Sequence, residues 1–237
     1  MIDLKSFKEN WLKIKESAEK SAIECGRNPD DVQIVAVSKT HPAELIKIAL
    51  YSGIKVFGEN YAQELVDKAL ELADYEIQPE WHFIGHLQTN KVKHIIPFVK
   101  MIHSVDSLKL AEEISKQAGK LNKTIDILLQ VNTSQEESKF GCNPEEAPEL
   151  YEKIQLLSNI ELKGLMTIGS FSDDENISRK EFGILVELRK IIIEKIVNVQ
   201  SLELSMGMSH DYSLAIKQGS TIVRIGTSIF GNRYYAR

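Results

Sequence analysis

The sequence predicts an α/β protein of the (β/α)8 TIM-barrel class, a single domain over residues 1–237 with one helix added at its N-terminus. Three observations carry this. Short runs rich in β-branched residues alternate with longer stretches of helical period along the whole chain. There are eight such runs, and one helical stretch fills each of the seven gaps between them. The turn after the first run lacks any glycine-rich fingerprint. Strict alternation means that every strand reaches the next through a crossover, which favours a parallel sheet buried on both faces. A doubly wound open sheet is the competing architecture, but neither G-x-G-x-x-G nor G-x-x-x-x-G-K-[ST] occurs.

The N-terminal stretch carries Leu4, Phe7, Trp11, Ile14 and Ala18 at helical spacing, with both charge signs on the other face. It reads as an amphipathic helix packed on the domain rather than on a membrane surface, and its acidic residues do not suit a transit peptide. The strands follow at Val32–Val37, Lys55–Phe57, Trp81–Ile84, Met101–Ser104, Ile125–Val131, Leu162–Ile168, Ser201–Leu204 and Thr221–Ile225. Helices are expected between them over Ala43–Tyr51, Tyr61–Leu72, Asn90–Phe98, Leu108–Ala118, Glu145–Leu157, Arg179–Lys195 and Ser209–Lys217.

Composition narrows the function classes. With 43% apolar and 27% charged residues, the chain of 237 residues has the make-up of an ordinary soluble protein with a sizeable core. A formal net charge of −5 argues against a nucleic-acid surface. No apolar stretch approaches the roughly 20 residues that cross a bilayer. Cys25 and Cys142 lie far apart with no C-x-x-C pattern, so a reducing cytoplasmic setting with two unpaired thiols is expected.

A barrel gives position a chemical meaning, because its sites lie at the C-terminal strand ends and phosphate often binds after strands seven and eight. Lys39 stands at the tip of the first strand. It is either a solvated lysine at a strand end or a reactive amine. After the second strand comes "FGENYAQE", in which Asn60 is either a helix N-cap or a ligand-directed amide. After the third, "WHFIGHLQTNK" contains His82 and His86. Four extended residues separate their side chains by about 13 Å, and no third ligand is apparent, so a metal site is not expected.

In the eighth strand, "TIVRIGTS", alternation places Ile222 and Arg224 on one face. If that face is the barrel interior, a permanently charged guanidinium is buried there and needs a partner; the alternative is an outward charge against a helix. Gly226-Thr227-Ser228 then offers backbone and hydroxyls to an anion, and Ser209 has the position of an N-cap on the preceding helix, so the two segments together form a prospective phosphate cradle. An amine, a phosphate cradle and an inward arginine together suit pyridoxal 5′-phosphate.

The segments "VAVSKTHP", "FGENYAQE", "WHFIGHLQTNK", "ESKFG", "GLMTIG", "LSMGMSHDYSLAI" and "VRIGTSIFG" occur in that order, and on them the chain resembles the pyridoxal phosphate homeostasis proteins. These are single-domain relatives of the N-terminal barrel of alanine racemase, of fold type III among pyridoxal-phosphate proteins. The resemblance implies that Lys39 carries the cofactor as a Schiff base, that Arg224 faces the pyridine nitrogen, that Ser209, Gly226 and Thr227 hold the phosphate, and that Asn60 and Met206 lie near the ring. No catalytic residue or metal ligand is assigned. The chain ends soon after the last strand, with no second domain to supply a racemase's second base. The expected function is therefore intracellular homeostasis of the vitamin B6 cofactor without turnover, by a monomer whose recipients are pyridoxal-phosphate apoenzymes. A small pyridoxal-phosphate enzyme such as an amino-acid racemase is the first alternative, and a Schiff-base aldolase the second. The roles of His82 and Lys91 stay open.

Overall fold

Eight parallel strands close on themselves. The computed structural model describes residues 4–231, apart from 135, 137, 171 and 198. The strands are β1 (Gln33–Val37), β2 (Val56–Glu59), β3 (Glu80–Phe83), β4 (Val99–Val105), β5 (Ile125–Gln130), β6 (Ile160–Met166), β7 (Glu203–Ser205) and β8 (Ile222–Ile225). Each pairs with its sequence neighbours, and β1 pairs with β8 from Gln33↔Ile222 to Ala36↔Ile225. That last ladder closes the barrel and rules out the open sheet.

Helices cover the outside: α1 (Leu4–Glu24), α2 (Ala43–Tyr51), α3 (Ala62–Glu71), α4 (Val92–Ile95), α5 (Leu108–Lys120), α6 (Ala147–Ile154), α7 (Glu175–Lys195), α8 (Tyr212–Lys217) and α9 (Thr227–Phe230). Three depart informatively from the sequence pattern. The stretch expected as Asn90–Phe98 splits into a 3-10 turn, Thr89–Lys91, and the single turn of α4, which stops short of Pro97, a residue with no N–H to continue the helical ladder. α7 starts at Glu175 rather than Arg179, where the Asp174 side chain accepts from the Asn176 N–H and caps the helix. α8 starts only at Tyr212, with Asp211 as its N-cap residue, so the expected N-cap role of Ser209 is not realised.

Side-chain alternation divides the core into two layers. Val35, Met101, Leu128, Met166 and Ile222 pack inside the barrel, while Ala36, Phe57, Phe83, Leu204 and Val223 belong to the layer between strands and helices. Burying each of Phe57 and Phe83 completely stabilises the fold by roughly 1.5–3 kcal/mol. α1 is fixed to the same body: the Phe7 and Phe230 rings lie 5.5 Å apart, and the Tyr212 hydroxyl donates to Ser17 Oγ at 2.9 Å. Among the described residues, no helix is long and apolar enough to cross a membrane.

Candidate functional site

The same alternation fixes the direction of Arg224. Ile222 faces the interior, so Arg224, two residues on, does too, and it is almost fully buried. Its partners are neutral: Nη1 donates to Ser205 Oγ at 2.7 Å and Nη2 to the Thr167 carbonyl at 2.8 Å. Burial lowers its pKa to about 10, opposed by the charge of Asp211, so it remains a cation at neutral pH. A buried guanidinium held only by a hydroxyl and a carbonyl keeps uncompensated positive charge for something else.

Arg224 forms part of the wall of a cavity of about 290 Å3 at the C-terminal end of the barrel, shared with Lys39, Asn60, Ser209, Gly226 and Thr227. The volume lies at the lower end of the ~300–1,000 Å3 range of small-molecule sites. A larger cavity, about 920 Å3, opens at the opposite end. Barrel chemistry belongs at the C-terminal strand ends, so the smaller cavity is the candidate site.

Lys39 is half-buried in the turn that follows β1. The residues on both sides of it are anchored. Ser38 Oγ donates to Glu59 Oε1 at 2.6 Å, the Ser38 carbonyl accepts from Lys68 Nζ at 2.8 Å, and the Thr40 N–H donates to Glu64 Oε1. Lys68 Nζ also donates to Glu59 and Glu64, each at 2.7 Å. Thr40 has φ 67°, a left-handed backbone that a threonine adopts only under such restraint. The network anchors the residues on both sides of Lys39, which lines the cavity wall.

Glu59 is wholly buried, and burial raises its pKa from 4.5 to about 7 against the opposing pull of Lys68 and Ser38. With the folded value above the unfolded one, its contribution to stability is complete below about pH 4.5 and is lost as pH rises through about 7. Raising the pH from about 5 to about 8 is therefore expected to cost up to roughly 3 kcal/mol at this site. Urea unfolding of the wild type and Glu59→Gln at both pH values checks it. The variant should lack that component; parallel pH profiles would refute the assignment.

Asn60 does not cap the following helix, whose N-cap residue is Tyr61 with no side-chain cap bond. Its Oδ1 is instead buried without a partner. Such an orphaned acceptor is costly unless a ligand satisfies it. Gly85 makes the approach possible: a Cβ there would lie 2.2 Å from the Asn60 carbonyl oxygen.

The loops after β7 and β8 meet at the far wall. Ser209 Oγ accepts from the Gly226 N–H at 3.2 Å, joining the two segments, and α9 begins at Thr227. First-turn N–H groups have no acceptor within their own helix, so those of Thr227 and Ser228 are available to an anion. The two segments are brought together as expected, although through a turn rather than a helix cap.

Met206 does not join them. It follows Ser205 outward by alternation and is fully buried in the outer layer, off the cavity wall. Gly207, at φ 93°, breaks the alternation and turns Met208 onto the wall in its place. His82 points into the barrel and contacts His103, whereas the His86 ring stacks on Phe140 at 3.7 Å, so the two histidines serve different surroundings. Among the described residues, no three His, Cys, Asp or Glu side chains stand close enough to hold a metal ion.

Closed parallel barrel, strand-end lysine, inward arginine and a double loop at the phosphate end define an alanine-racemase-like barrel, and residues 2–234 match the family described as "Alanine racemase, N-terminal domain". The chain is 43% identical over 227 residues to the pyridoxal phosphate homeostasis protein of Aquifex aeolicus, covering 96% of this chain and 98% of the relative. It belongs to the pyridoxal phosphate homeostasis protein family. Among solved structures, a protein of unknown function from Bifidobacterium adolescentis superposes with a TM-score of 0.88 at 37% identity, covering 97% of this chain and 98% of that one. PipY of Synechococcus elongatus, solved with pyridoxal phosphate bound, superposes with a TM-score of 0.79 at 33% identity, covering 91% of this chain and all of that one.

Proposed function

We propose that this chain binds pyridoxal 5′-phosphate in the cavity beside Lys39 and acts in homeostasis of that cofactor, holding and releasing it rather than turning over a substrate. The observation that carries the reading is the convergence of an amine, an orphaned acceptor, a buried cation and an anion cradle on one cavity. The cofactor supplies an aldehyde and an electron-accepting ring. Lys39 would condense with the aldehyde, its nitrogen forming a C=N bond as the carbonyl oxygen leaves in water. Asn60 Oδ1 would accept a hydrogen bond from the ring hydroxyl. Ser209, Gly226 and Thr227 would hold the phosphate, and Met208 rather than Met206 would pack near the ring. PipY, which holds the cofactor, and the names of the curated relatives support this.

Arg224 supports holding over turnover. A guanidinium facing the pyridine nitrogen disfavours its protonation, since two cations would then adjoin, and an unprotonated ring is a weaker electron sink. A racemase would also need a base opposite Lys39. His210, on the cavity wall with Asp211 at 3.2 Å, is the group that favours this second reading. Its neighbouring lysine and arginine are already committed to binding. A monomer in the cytoplasm, forming one domain and passing the cofactor to apoenzymes, completes the proposal; the free thiols of Cys25 and Cys142 suit a reducing compartment.

Two measurements test it. Ser209→Ala with Thr227→Ala should weaken cofactor binding by at least tenfold in a fluorescence titration, as two hydrogen bonds to a charged group are lost at about 1.5–3 kcal/mol each, while the urea midpoint stays near the wild type. Equal affinity would remove the phosphate role. Incubating the loaded protein with L-amino acids, followed by chiral analysis, should show no racemisation at ordinary enzymatic rates; such turnover, abolished by His210→Ala, would establish the racemase instead.

A further inference from the structure

A line of buried polar groups runs along the barrel interior from one cavity to the other. Arg224, on the wall of the C-terminal cavity, donates to Ser205 Oγ at 2.7 Å. Ser205 Oγ lies 2.9 Å from His103 Nδ1, and His103 Nε2 lies 2.9 Å from His82 Nδ1. His82 Nε2 lies 3.1 Å from Glu80 Oε1. Glu80 and His82 line the large cavity at the opposite end. Ser205, His103 and His82 are all buried, while the Glu80 side chain is 43% exposed.

With one proton on each ring, the Glu80 end fixes where every proton sits, and the Arg224 end is compatible with that order. A guanidinium can only donate, and a carboxylate can only accept. His82 therefore carries its hydrogen on Nε2 and donates to Glu80. His103 then carries its hydrogen on Nε2 and donates to His82 Nδ1, and Ser205 gives its own hydrogen to His103 Nδ1 while it receives from Arg224. The reverse order would place the His82 Nε2 lone pair against a carboxylate oxygen at 3.1 Å, two acceptors in repulsion. Burial above all, with the Arg224 guanidinium nearby, holds His103 well below the usual histidine pKa, so that ring is neutral. All the donors thus point the same way, from the cation at the cofactor end to the anion at the other.

We infer that Glu80, His82 and His103 are positioning residues for the cofactor site, acting through Ser205 to fix the Arg224 guanidinium that would face the pyridine nitrogen. The assignment rests on the pyridoxal phosphate reading above. It gives a use to His82, a residue of the "WHFIGHLQTNK" segment whose role the sequence leaves open, and to a carboxylate at the barrel end remote from the cofactor. Without the acceptor at Glu80, both histidines are free to exchange tautomers. Ser205 can then receive a hydrogen from His103 as well as from Arg224, which turns its hydroxyl and alters how its lone pairs hold the guanidinium.

Two arms test this separately. Nitrogen-15 NMR of the histidine rings in the cofactor-free protein should show both His82 and His103 as neutral rings protonated on Nε2, and Glu80→Ala should convert them to tautomer mixtures. In the loaded protein, Glu80→Ala and Ser205→Ala should each weaken cofactor affinity by roughly 2- to 12-fold, the equivalent of one hydrogen bond, and move the visible absorption band. Glu80→Gln, whose amide oxygen accepts the same bond, should restore both. Nδ1 protonation of either ring in the wild type would overturn the chain's direction. Intact tautomer mixing with unchanged affinity and band in Glu80→Ala would overturn the positioning role. Uptake of no cofactor by the wild type would remove the pyridoxal phosphate reading and the positioning role with it, while the cofactor-free arm would still decide the chain.

Discussion

Lys39→Ala is expected to lose the covalent cofactor completely. After incubation with pyridoxal phosphate and removal of the excess, the variant should be colourless and should retain no borohydride-fixed adduct, while the wild type is yellow and retains one. The effect is all-or-none because no substitute amine is in place. Lys39 is the one lysine on the cavity wall among the described residues. The nearby Lys68 ammonium is buried and committed to Glu59, Glu64 and the Ser38 carbonyl. The remaining basic groups on the wall are His210 and Arg224, neither of which is a primary amine. Reversible binding through the phosphate cradle should persist, so a titration of the variant would still saturate at higher concentrations. Full colour and a retained adduct in Lys39→Ala would show that another amine was the attachment point.

The second large effect is predicted for a residue that touches no ligand. A Cβ on Gly85 would lie 2.2 Å from the Asn60 carbonyl oxygen, 2.7 Å from its Cα and 2.8 Å from its carbonyl carbon. These are backbone atoms and cannot rotate aside, so Gly85→Ala must displace either the segment after β3 or the one after β2. Overpacking of this kind costs about 1–3 kcal/mol and sometimes more. Since Asn60 is the residue displaced, cofactor affinity should fall together with stability. Urea unfolding and a cofactor titration of the same preparation read both. A variant with wild-type midpoint and affinity would mean that the close approach of the two segments does not position the site.

The barrel was legible in the sequence because a buried parallel strand leaves a strong local mark, the run of β-branched residues, and because crossovers force helices between strands. The inward direction of Arg224 was half-legible: period two tied it to Ile222, but which face was inside depended on closure between β1 and β8. The resemblance, not the local pattern, implies a place near the ring for Met206. The alternation that sends Ser205 inward sends Met206 outward, and Met208 reaches the cavity only because Gly207 takes a positive φ, which the residue type permits without announcing.

The polar networks were less legible still. His103 sits in an ordinary strand sequence, and its importance comes from His82 on β3 and Ser205 on β7, neighbours made by the barrel alone. Glu59 was visible as an acidic residue, and its pairing with Lys68 nine positions on gave no periodic signal. Ser209 looked like a helix cap because a helix follows it closely. Asp211 takes that position instead, accepting from the Met208 N–H at 2.6 Å and delaying the helix to Tyr212. What the sequence shows best is what repeats; single contacts between distant strands do not repeat.

The central claim is that Lys39 is the place where this chain holds pyridoxal phosphate. Borohydride reduction of the loaded wild-type protein, proteolysis and mass mapping of the fixed pyridoxyl group test it most directly. The group is predicted on Lys39, in the peptide that joins β1 to α2, at close to one per chain. A pyridoxyl group on any other lysine, or none on a protein that had turned yellow, would contradict it.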